Sequence, residues 1–445
     1  MIHACALRRW GLLAPLLIAT TYPAQADKEN VRNLTAAYNA SGQVLYQDIA
    51  RSSGNIVFSP YLIGVAMAMV RSGARGDTER EMAALLNHPL SLGEIGTANA
   101  ALIATLAGYD RAAQPDYCPK GAQWTGKHCE APPSSDAAAP RRCPKAMQLA
   151  GDVCVGLPVK SSAKVLAANA LLLTKHGHVI SDEYKAIVRD TYAAAIYDAS
   201  RLDEVNAWAK QKTEGSIHQV IGSPDRDAGV VLLSAAYLKA AWASPFTETR
   251  DGDFMLSTSQ TVRLAMVRQQ TPFALVERTA YRAIRLDYSE RSLGMIIVLP
   301  TDVDGLLTVM RELDAHKLAN LVTALKRAPR RVLALAIPRF KAALNADLVP
   351  QFKTVGMTLP FSDDADFGGM IGKATREGGL KIGAIRHLAA IEVTESGSGA
   401  AERGAAFYVP RMEGSFIVDR PFLFYVVDDT SGAVLFQGRV VDPRQ

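Results

Sequence analysis

The stretch Glu395-Ser396-Gly397-Ser398-Gly399-Ala400-Ala401 decides the fold of this chain of 445 residues. It opens a run of small residues between two segments with the composition of β-strands. The segment before it ends in Ala389-Ala390-Ile391-Glu392-Val393, and the segment after it, 416–426, is rich in β-branched and aromatic residues. The connection is too long for a hairpin, and loops of this length in compact domains are usually functional. We therefore expect a loop that changes its conformation.

A candidate cleavage site lies near the far end of this loop, in Val409-Pro410-Arg411-Met412-Glu413. The guanidinium group of Arg411 suits the acidic specificity pocket of trypsin-like proteases. The sequence therefore predicts that such a protease cuts the bond between Arg411 and Met412. A surface arginine in an uncut loop is the alternative.

Several spaced motifs in this chain follow the order of one protein family. The pattern Glu-x-Gly-Ser/Thr-x-Ala-Ala stands at 395–401, and apolar positions around Asp-basic-Pro-Phe stand at 416–426. Further matching segments lie at 55–60, 73–78, 168–171, 205–208, 237–242, 295–300 and 337–340. Together they resemble the serpins, serine protease inhibitors that work by conformational trapping, over nearly all of 30–445 outside one insertion.

The resemblance implies an α+β fold with three β-sheets, about nine helices and an exposed reactive-centre loop. It implies a single domain, 27–445, which acts as a monomer without a cofactor. The partner would be a trypsin-like serine protease, held in a covalent complex while the cut loop inserts into the main sheet. Family members usually place the residue before the cut bond sixteen positions after the hinge Glu, which gives Arg411. The hinge would comprise Glu395, Gly397, Ser398, Gly399, Ala400, Ala401 and Glu402.

Two other functions stay open beside protease trapping. One is a serpin-like protein that binds or carries a ligand without inhibiting, and the other is an inhibitor of a cysteine protease. An enzyme is not expected, because the sequence has no Gly-x-Ser-x-Gly elbow and no His-Glu-x-x-His motif. Ser398 lies between two glycines but has no evident base, so we interpret it as a small hinge residue.

Four residues are predicted to lie where the main sheet opens. His387 matches a histidine that the family keeps beneath this sheet, and Ser59 matches an early serine near it. Trp242 resembles the family's buried tryptophan at the top of the sheet. Ser234 replaces a usual Asn, and Leu62 stands where the family usually has a second Ser, so we expect a reduced polar network.

Glu402 departs from the small residues that inhibitory members prefer. On strand alternation from Ser398 and Ala400, its side chain would point inward after insertion, whereas Arg403 would face solvent. Burying an unpaired carboxylate costs several kcal/mol. Glu402 is therefore the residue expected to slow insertion and to turn some inhibitor into substrate.

The insertion, at about 109–163, contains an internal repeat with four cysteines. Each unit begins with Cys-Pro-Lys and has a Gly eight positions after that Cys and a second Cys three further on. The repeat favours disulfides within each unit, since each would then close on itself. Zinc binding by the four thiolates is the rival, but the Cys-x₂₋₄-Cys spacing of common zinc sites is absent. The four residues are Cys118, Cys129, Cys143 and Cys154.

The first 26 residues read as a secretory signal peptide. Arg8-Arg9 precedes an apolar run from Trp10 to Ile18, and Ala24-Gln25-Ala26 resembles a cleavage site. This run is too short to span a bilayer. We expect a secreted protein, extracellular or periplasmic, that is not held in a membrane.

The charge of the chain gives little indication of a partner. Its net charge of +5 is small for its length, and we expect no nucleic-acid partner and no resident metal. The basic cluster Lys326-Arg327-Ala328-Pro329-Arg330-Arg331 is interpreted as a solvated turn, with a polyanion site as the alternative.

Overall fold

The computed structural model describes residues 26–445 apart from 111–122, 125–128, 131–146, 151–152, 157–162, 175–179, 214, 216, 218, 223–228, 291, 372–378 and 399–412. Within these residues the helices are α1 Ala26–Ile49, α2 Pro60–Gly73, α3 Gly76–Leu86, α4 Leu92–Ala107, α5 Asp182–Ala186, α6 Leu202–Lys212, α7 Leu306–Glu312, α8 Ala315–Arg327 and α9 Val349–Thr354. This agrees with the predicted number.

The strands of the described residues begin with β1 Ile56–Phe58, β2 Gln123–Trp124, β3 Cys129–Glu130, β4 Met147–Ala150, β5 Val153–Gly156, β6 Lys164–Leu173, β7 Ala195–Asp198, β8 Val230–Ala241, β9 Glu248–Ser257 and β10 Gln260–Glu277. They continue with β11 Tyr281–Asp287, β12 Leu293–Pro300, β13 Arg330–Pro338, β14 Phe340–Asp347, β15 Ile382–Val393, β16 Gly397–Ser398, β17 Gly414–Ile417, β18 Phe422–Asp428 and β19 Val434–Val440.

Three sheets result from these strands. The main sheet has the order β14-β15-β16-β8-β6-β7, and a nine-stranded sheet joins most of the remaining strands through the long β10. The third sheet, β2-β3-β5-β4, lies within the insertion. Helices and mixed sheets in this arrangement confirm the predicted α+β fold.

The two central strands of the main sheet run parallel. β15 pairs with β8 from Ile382 and Val230 up to Ala390 and Tyr237. Both strands are antiparallel to their outer neighbours, β14 and β6. Beyond this stretch the short β16 lies between them and pairs with both. The parallel seam is therefore open at one end, where the hinge enters.

The two faces of the main sheet pack against different partners. On one face, β8 and β15 contribute to the large core that also contains α2, where all residues but Ser72 are buried. On the other face, Val205, Trp208 and Ala209 of α6 pack on the sheet. The recognised segment 205–208 thus lies in a helix that packs on this face of the sheet.

The segment 60–86 forms two helices, α2 and α3, with a break between them. α2 ends at Gly73, and Ala74 and Arg75 have extended backbones. A side chain at Gly73 would meet Met370 at 2.3 Å, so the end of α2 lies tightly against the chain after α9. Gly73 and Gly76 flank the break, so low helix propensity and tertiary packing both favour it at this position.

The repeat in the insertion folds as two equivalent hairpins. Trp124 pairs with Cys129 in one, and Leu149 pairs with Cys154, 25 positions later in each case, in the other. β3 and β5 join the hairpins through another equivalent pair, Glu130 and Val155. The predicted disulfides fall outside the described residues and side chains, so their pairing stays a prediction.

Candidate functional site at the hinge of the main sheet

Two hinge residues form a strand inside the main sheet. Gly397 pairs with Ala241 of β8, and Ser398 pairs with Ala240 of β8 and Val393 of β15. Both hinge residues are buried, and the exposed fraction of Ser398 is 0%. The start of the loop is therefore already seated between the central strands.

Gly397 is the residue that this close approach requires. Its φ of +149° is rare for residues with a side chain, and an added Cβ would lie 2.0 Å from the carbonyl oxygen of Ala240. Because that oxygen belongs to the backbone of a central strand, it cannot move aside cheaply. The sequence motif thus has a glycine where two backbones touch.

The hydroxyl of Ser398 lies in a buried aromatic pocket. Its Oγ is 2.8 Å from the hydroxyl of Tyr288, the residue that follows β11. Tyr288 stacks on Trp242 with ring centroids 4.5 Å apart and an angle of 10° between the rings. Burial raises the pKa of Tyr288 above its usual value, so the hydroxyl stays protonated. The pair is a neutral hydrogen bond rather than an activated nucleophile.

Trp242 holds the chain just before the hinge. Its indole Nε1–H donates to the carbonyl oxygen of Thr394 at 3.1 Å, and its backbone N–H donates to that of Ser396 at 2.9 Å. Phe246 donates its backbone N–H to the carbonyl oxygen of Glu395 at 3.0 Å. Three successive carbonyl groups are thus fixed by the segment that follows β8.

The side chain of Glu395 links the hinge to two further elements. It accepts a hydrogen bond of 2.7 Å from Thr249 on β9 and an ion pair from Arg339, between β13 and β14. Burial alone would raise the pKa of Glu395, but the hydrogen bonds from Thr249, from its own backbone N–H and from Arg339 together hold the pKa below its usual value. The carboxylate therefore remains charged where the hinge begins.

A second cluster surrounds His387, six residues before Val393 on β15, or about 20 Å along the strand. The backbone N–H of Ser59 donates to His387 Nε2 at 3.2 Å. Since a backbone amide can only donate, Nε2 is unprotonated, and Nδ1–H donates to Ser234 Oγ at 3.2 Å. Burial lowers the pKa of His387 to about 3, which keeps the imidazole neutral.

This second cluster connects the sheet to the start of α2. Ser59 Oγ donates to the carbonyl oxygen of Leu435 at 2.6 Å and accepts from the backbone N–H of Leu62 at 3.2 Å. Asn169 on β6 donates to the carbonyl oxygen of Leu62 at 3.3 Å, while its own Oδ1 is buried without a partner. Only backbone atoms of Leu62 take part, as expected if the network is reduced at that position.

The structure brings the predicted residues together in two groups. Ser59, Ser234 and His387 form the second cluster, whereas Trp242 lies with the hinge residues at the open end of the seam. The remaining predicted positions fall outside the described residues: Gly399, Ala400, Ala401, Glu402, Arg411 and Met412.

Several residues of the hinge site, among them Tyr288 and Arg339, were not predicted from the sequence. Tyr288 lies 110 positions from Ser398 along the chain, and Arg339 lies 56 positions from Glu395. Tyr288 directly follows a strand in which apolar and charged residues are mixed, which is a weak signal for a buried position, and Arg339 lies within a recognised segment. Neither pattern indicates contact with the hinge.

The described residues hold no group of three or more His, Cys, Asp or Glu side chains placed to bind a metal ion. None of the helices among those residues is long and apolar enough to cross a bilayer.

Comparisons with known proteins agree with this geometry. A family model described as Serpin (serine protease inhibitor) matches residues 36–443. The chain is 28% identical to Serpin-Z3 of Arabidopsis thaliana over 440 residues, which cover 93% of this chain and 97% of the relative. It is also 28% identical to the leukocyte elastase inhibitor of Sus scrofa, with 93% and 100% coverage. Human glycosylated kallistatin has the same fold, with a TM-score of 0.73 at 21% identity over 93% of this chain and 99% of that one.

Proposed function

Since this chain belongs to the serpin family, we propose that it is an exported suicide inhibitor of trypsin-like serine proteases, with Arg411-Met412 as the reactive bond. The observation that carries the proposal is the seated hinge: Gly397–Ser398 already forms the first step of a strand between β8 and β15. The name of the pig relative, an elastase inhibitor, supports inhibition. Arg411 favours a protease with an acidic specificity pocket instead.

The proposed reaction begins as ordinary proteolysis. The catalytic serine of the protease attacks the carbonyl carbon of Arg411, the bond to Met412 breaks, and Met412 leaves as a free amine. The loop then inserts between β8 and β15 before water hydrolyses the ester at Arg411. About 14 inserted residues at roughly 3.3 Å each extend about 45 Å, enough to carry the attached protease across the molecule and distort it.

The parallel seam supplies the driving force. Between β8 and β15 the backbone hydrogen bonds are those of a parallel pair, which is slightly less stable per residue than an antiparallel one. A strand that continues β16 is antiparallel to both neighbours and replaces this seam by two antiparallel ladders. At roughly 0.5–1.5 kcal/mol for each net hydrogen bond, about 14 new strand residues make insertion favourable.

The register of β16 assigns neighbours to Glu402 in the inserted form. Ser398 lies opposite Val393 and Ala240, so Glu402, four residues on, would lie opposite Ala389 and Ala236. Both alanines face the large core and are buried. The buried position of Ser398 therefore supports the expectation that Glu402 points inward.

In this register, His387 would be a neighbour of the Glu402 carboxylate. It lies two residues from Ala389 on β15, and diagonal neighbours roughly 7–8 Å apart are within reach of long side chains. Insertion would also separate His387 from Ser234 and free its Nδ1–H. We therefore expect Glu402 to accept this hydrogen bond, which would offset part of the cost of its burial.

Mixing the full chain with trypsin tests the proposal. We expect a complex that survives SDS, and we expect none with trypsin whose catalytic serine is blocked. Replacing Arg411 by Ala should abolish the complex, whereas the matched variant Arg403→Ala, in the same loop, should retain it.

The alternatives predict other results of the same experiment. Clean cleavage after Arg411 without a complex would favour a protein that binds or carries a ligand. A complex with papain but not with trypsin would favour inhibition of cysteine proteases. Cleavage elsewhere in the loop with a stable complex would keep inhibition and move the reactive bond.

A further inference from the structure

A cavity of about 530 Å³ lies beside the hinge site. It is lined by the segment after β8, by β10 and β11, and by the end of α8. Its volume is within the range of roughly 300–1,000 Å³ that is typical of small-molecule sites. Trp242, which holds the hinge carbonyl groups, forms part of its wall.

A charged network lines one side of the cavity. Arg285, 5% exposed, donates to Asp287 at 2.7 Å and to Asp429 at 3.2 Å. It lies across Gly294, where an added Cβ would be 2.4 Å from the guanidinium carbon. The absence of a side chain at this position of β12 thus makes room for the buried guanidinium group of Arg285.

Two cations complete this network at the mouth of the cavity. Lys326 lies 3.0 Å from Asp429, and Arg330 pairs with Asp287. With Arg285, three cations face two carboxylates, which leaves an excess of one positive charge. One anionic group would balance the cavity.

The mouth cations are free to change partners. Their side chains are 40% and 55% exposed, whereas Asp429 and Asp287 are 26% and 13% exposed, so the cationic end of each pair is open to solvent and to a ligand at the mouth. If Lys326 and Arg330 turn to a ligand, Arg285 still contacts both carboxylates. Binding an anion therefore leaves no buried carboxylate without a cation.

The remaining lining suits an aromatic body. Trp242 and Phe273 are 3% and 5% exposed and line the cavity with the small part of each ring that stays open, against which a ligand ring can pack edge to face. Gln269 also lines the cavity, and its Oε1 is buried without a hydrogen-bond partner. One acceptor is therefore left for a donor group on the ligand.

We propose that this cavity binds a small aromatic anion, a molecule of one to three rings with a single sulfonate, sulfate or carboxylate. Its rings lie against Trp242 and Phe273, and its anionic group lies between Lys326 and Arg330. This site does not depend on protease inhibition, because the lining residues belong to the folded body rather than to the reactive loop.

A titration of the full chain with 8-anilinonaphthalene-1-sulfonate, followed by its fluorescence and by calorimetry, tests the proposal. We expect one saturable site. The double variant Lys326→Ala/Arg330→Ala should bind at least about tenfold more weakly, since hydrogen bonds to charged groups are lost. The matched control Arg327→Ala/Arg331→Ala removes the same charge from the same turn but from residues that do not line the cavity. Its affinity should be unchanged.

Three results would overturn the proposal. Equal weakening in both double variants would assign binding to surface charge, as for a polyanion on the turn. Equal affinity for the uncharged analogue N-phenyl-1-naphthylamine would reduce the site to an apolar patch, and the absence of saturable binding would remove it. If the Lys326→Ala/Arg330→Ala variant does not fold, Ser244→Trp places a large ring at an exposed lining position, and retained binding in that variant would equally contradict the site.

Discussion

Gly397 and Ser398 meet opposite requirements at neighbouring positions. Gly397 must lack a side chain, because a Cβ would overlap the carbonyl oxygen of Ala240. Ser398 needs its side chain, because its hydroxyl lies in the buried aromatic pocket and forms a hydrogen bond with Tyr288. Together they explain why the hinge motif places a hydroxyl residue directly after a glycine.

Replacing Tyr288 by Phe should loosen the seated hinge. The change removes one partner of a buried pair and leaves the hydroxyl of Ser398 unsatisfied, at a cost of about 1–3 kcal/mol. Local opening at Ser398 should become about tenfold more frequent, as measured by amide hydrogen exchange. Tyr425→Phe is the matched control, since the hydroxyl of Tyr425 is buried without a partner. Equal exchange in the two variants would contradict the role of Tyr288.

His387 should make the protein sensitive to mild acid. Its pKa of about 3 lies below the value of about 6.5 in an unfolded chain. Between these values the unfolded chain takes up a proton that the native state refuses, so stability is complete above pH 6.5 and falls as the pH decreases. At pH 5 the loss should be about 2 kcal/mol. Denaturant unfolding at pH 7 and pH 5 measures it.

A His387→Asn variant is the control for this pH effect. Burial also lowers the pKa of His88, to about 4. His88 therefore also destabilises the native state as the pH decreases, and its contribution must be separated from that of His387. The difference between the wild type and the variant isolates His387. If both lose the same stability between pH 7 and pH 5, the histidine under the sheet does not act as described.

Single residues could be predicted from the sequence only where a motif specified them. The residues of the second cluster, Ser59, Ser234 and His387, were predicted from the family resemblance, and the structure brings these three together. Tyr288 could not be anticipated, because its contact with Ser398 depends on how two sheets meet at the top of the molecule. Long-range side-chain contacts of this kind have no local sequence signal.

At the scale of elements, the strands were easier to predict than their pairing. The recognised segments at 237–242 and 295–300 and the strand-like residues 389–393 lie at the ends of β8, β12 and β15. Sequence pattern does not show that β8 and β15 run parallel, because their pairing joins segments about 150 residues apart. The two hairpins of the insertion, in contrast, are equivalent because the two units of the repeat have similar sequences. Each hairpin is held by contacts within its own unit, so similar units form similar hairpins.

Replacing Glu402 by Ala should lower the number of inhibitor molecules consumed per protease. The extended strand would bury a methyl group in place of a carboxylate, and each 1.4 kcal/mol removed from the insertion barrier makes insertion about tenfold faster. Titration of a fixed amount of trypsin with each variant measures the consumption. Arg403→Ala is the control, because its side chain would face solvent, and it should change little. An unchanged value for Glu402→Ala would remove this residue from the mechanism.

At the scale of the whole molecule, two clusters about 20 Å apart hold the same seam. The hinge cluster of Glu395, Ser398, Trp242 and Tyr288 closes its upper end. The cluster around His387 ties its middle to α2. Between them the central strands form a parallel pair. On the proposed function, these local contacts hold the uncleaved chain in the form without the additional strand.

Cutting the loop should make the protein much more resistant to heat. Once the chain is cleaved after Arg411, the loop is free to extend β16, and about 14 strand residues at roughly 0.5–1.5 kcal/mol each should raise the melting temperature by roughly 10–25 °C. Calorimetry before and after limited digestion with trypsin measures the change. A Gly397→Val variant provides the control, because its side chain would overlap the carbonyl oxygen of Ala240, so the cut loop cannot enter and the melting temperature should not rise. If cleaved wild-type protein melts at or below the temperature of the intact form, the loop does not insert, and the seated hinge has another role.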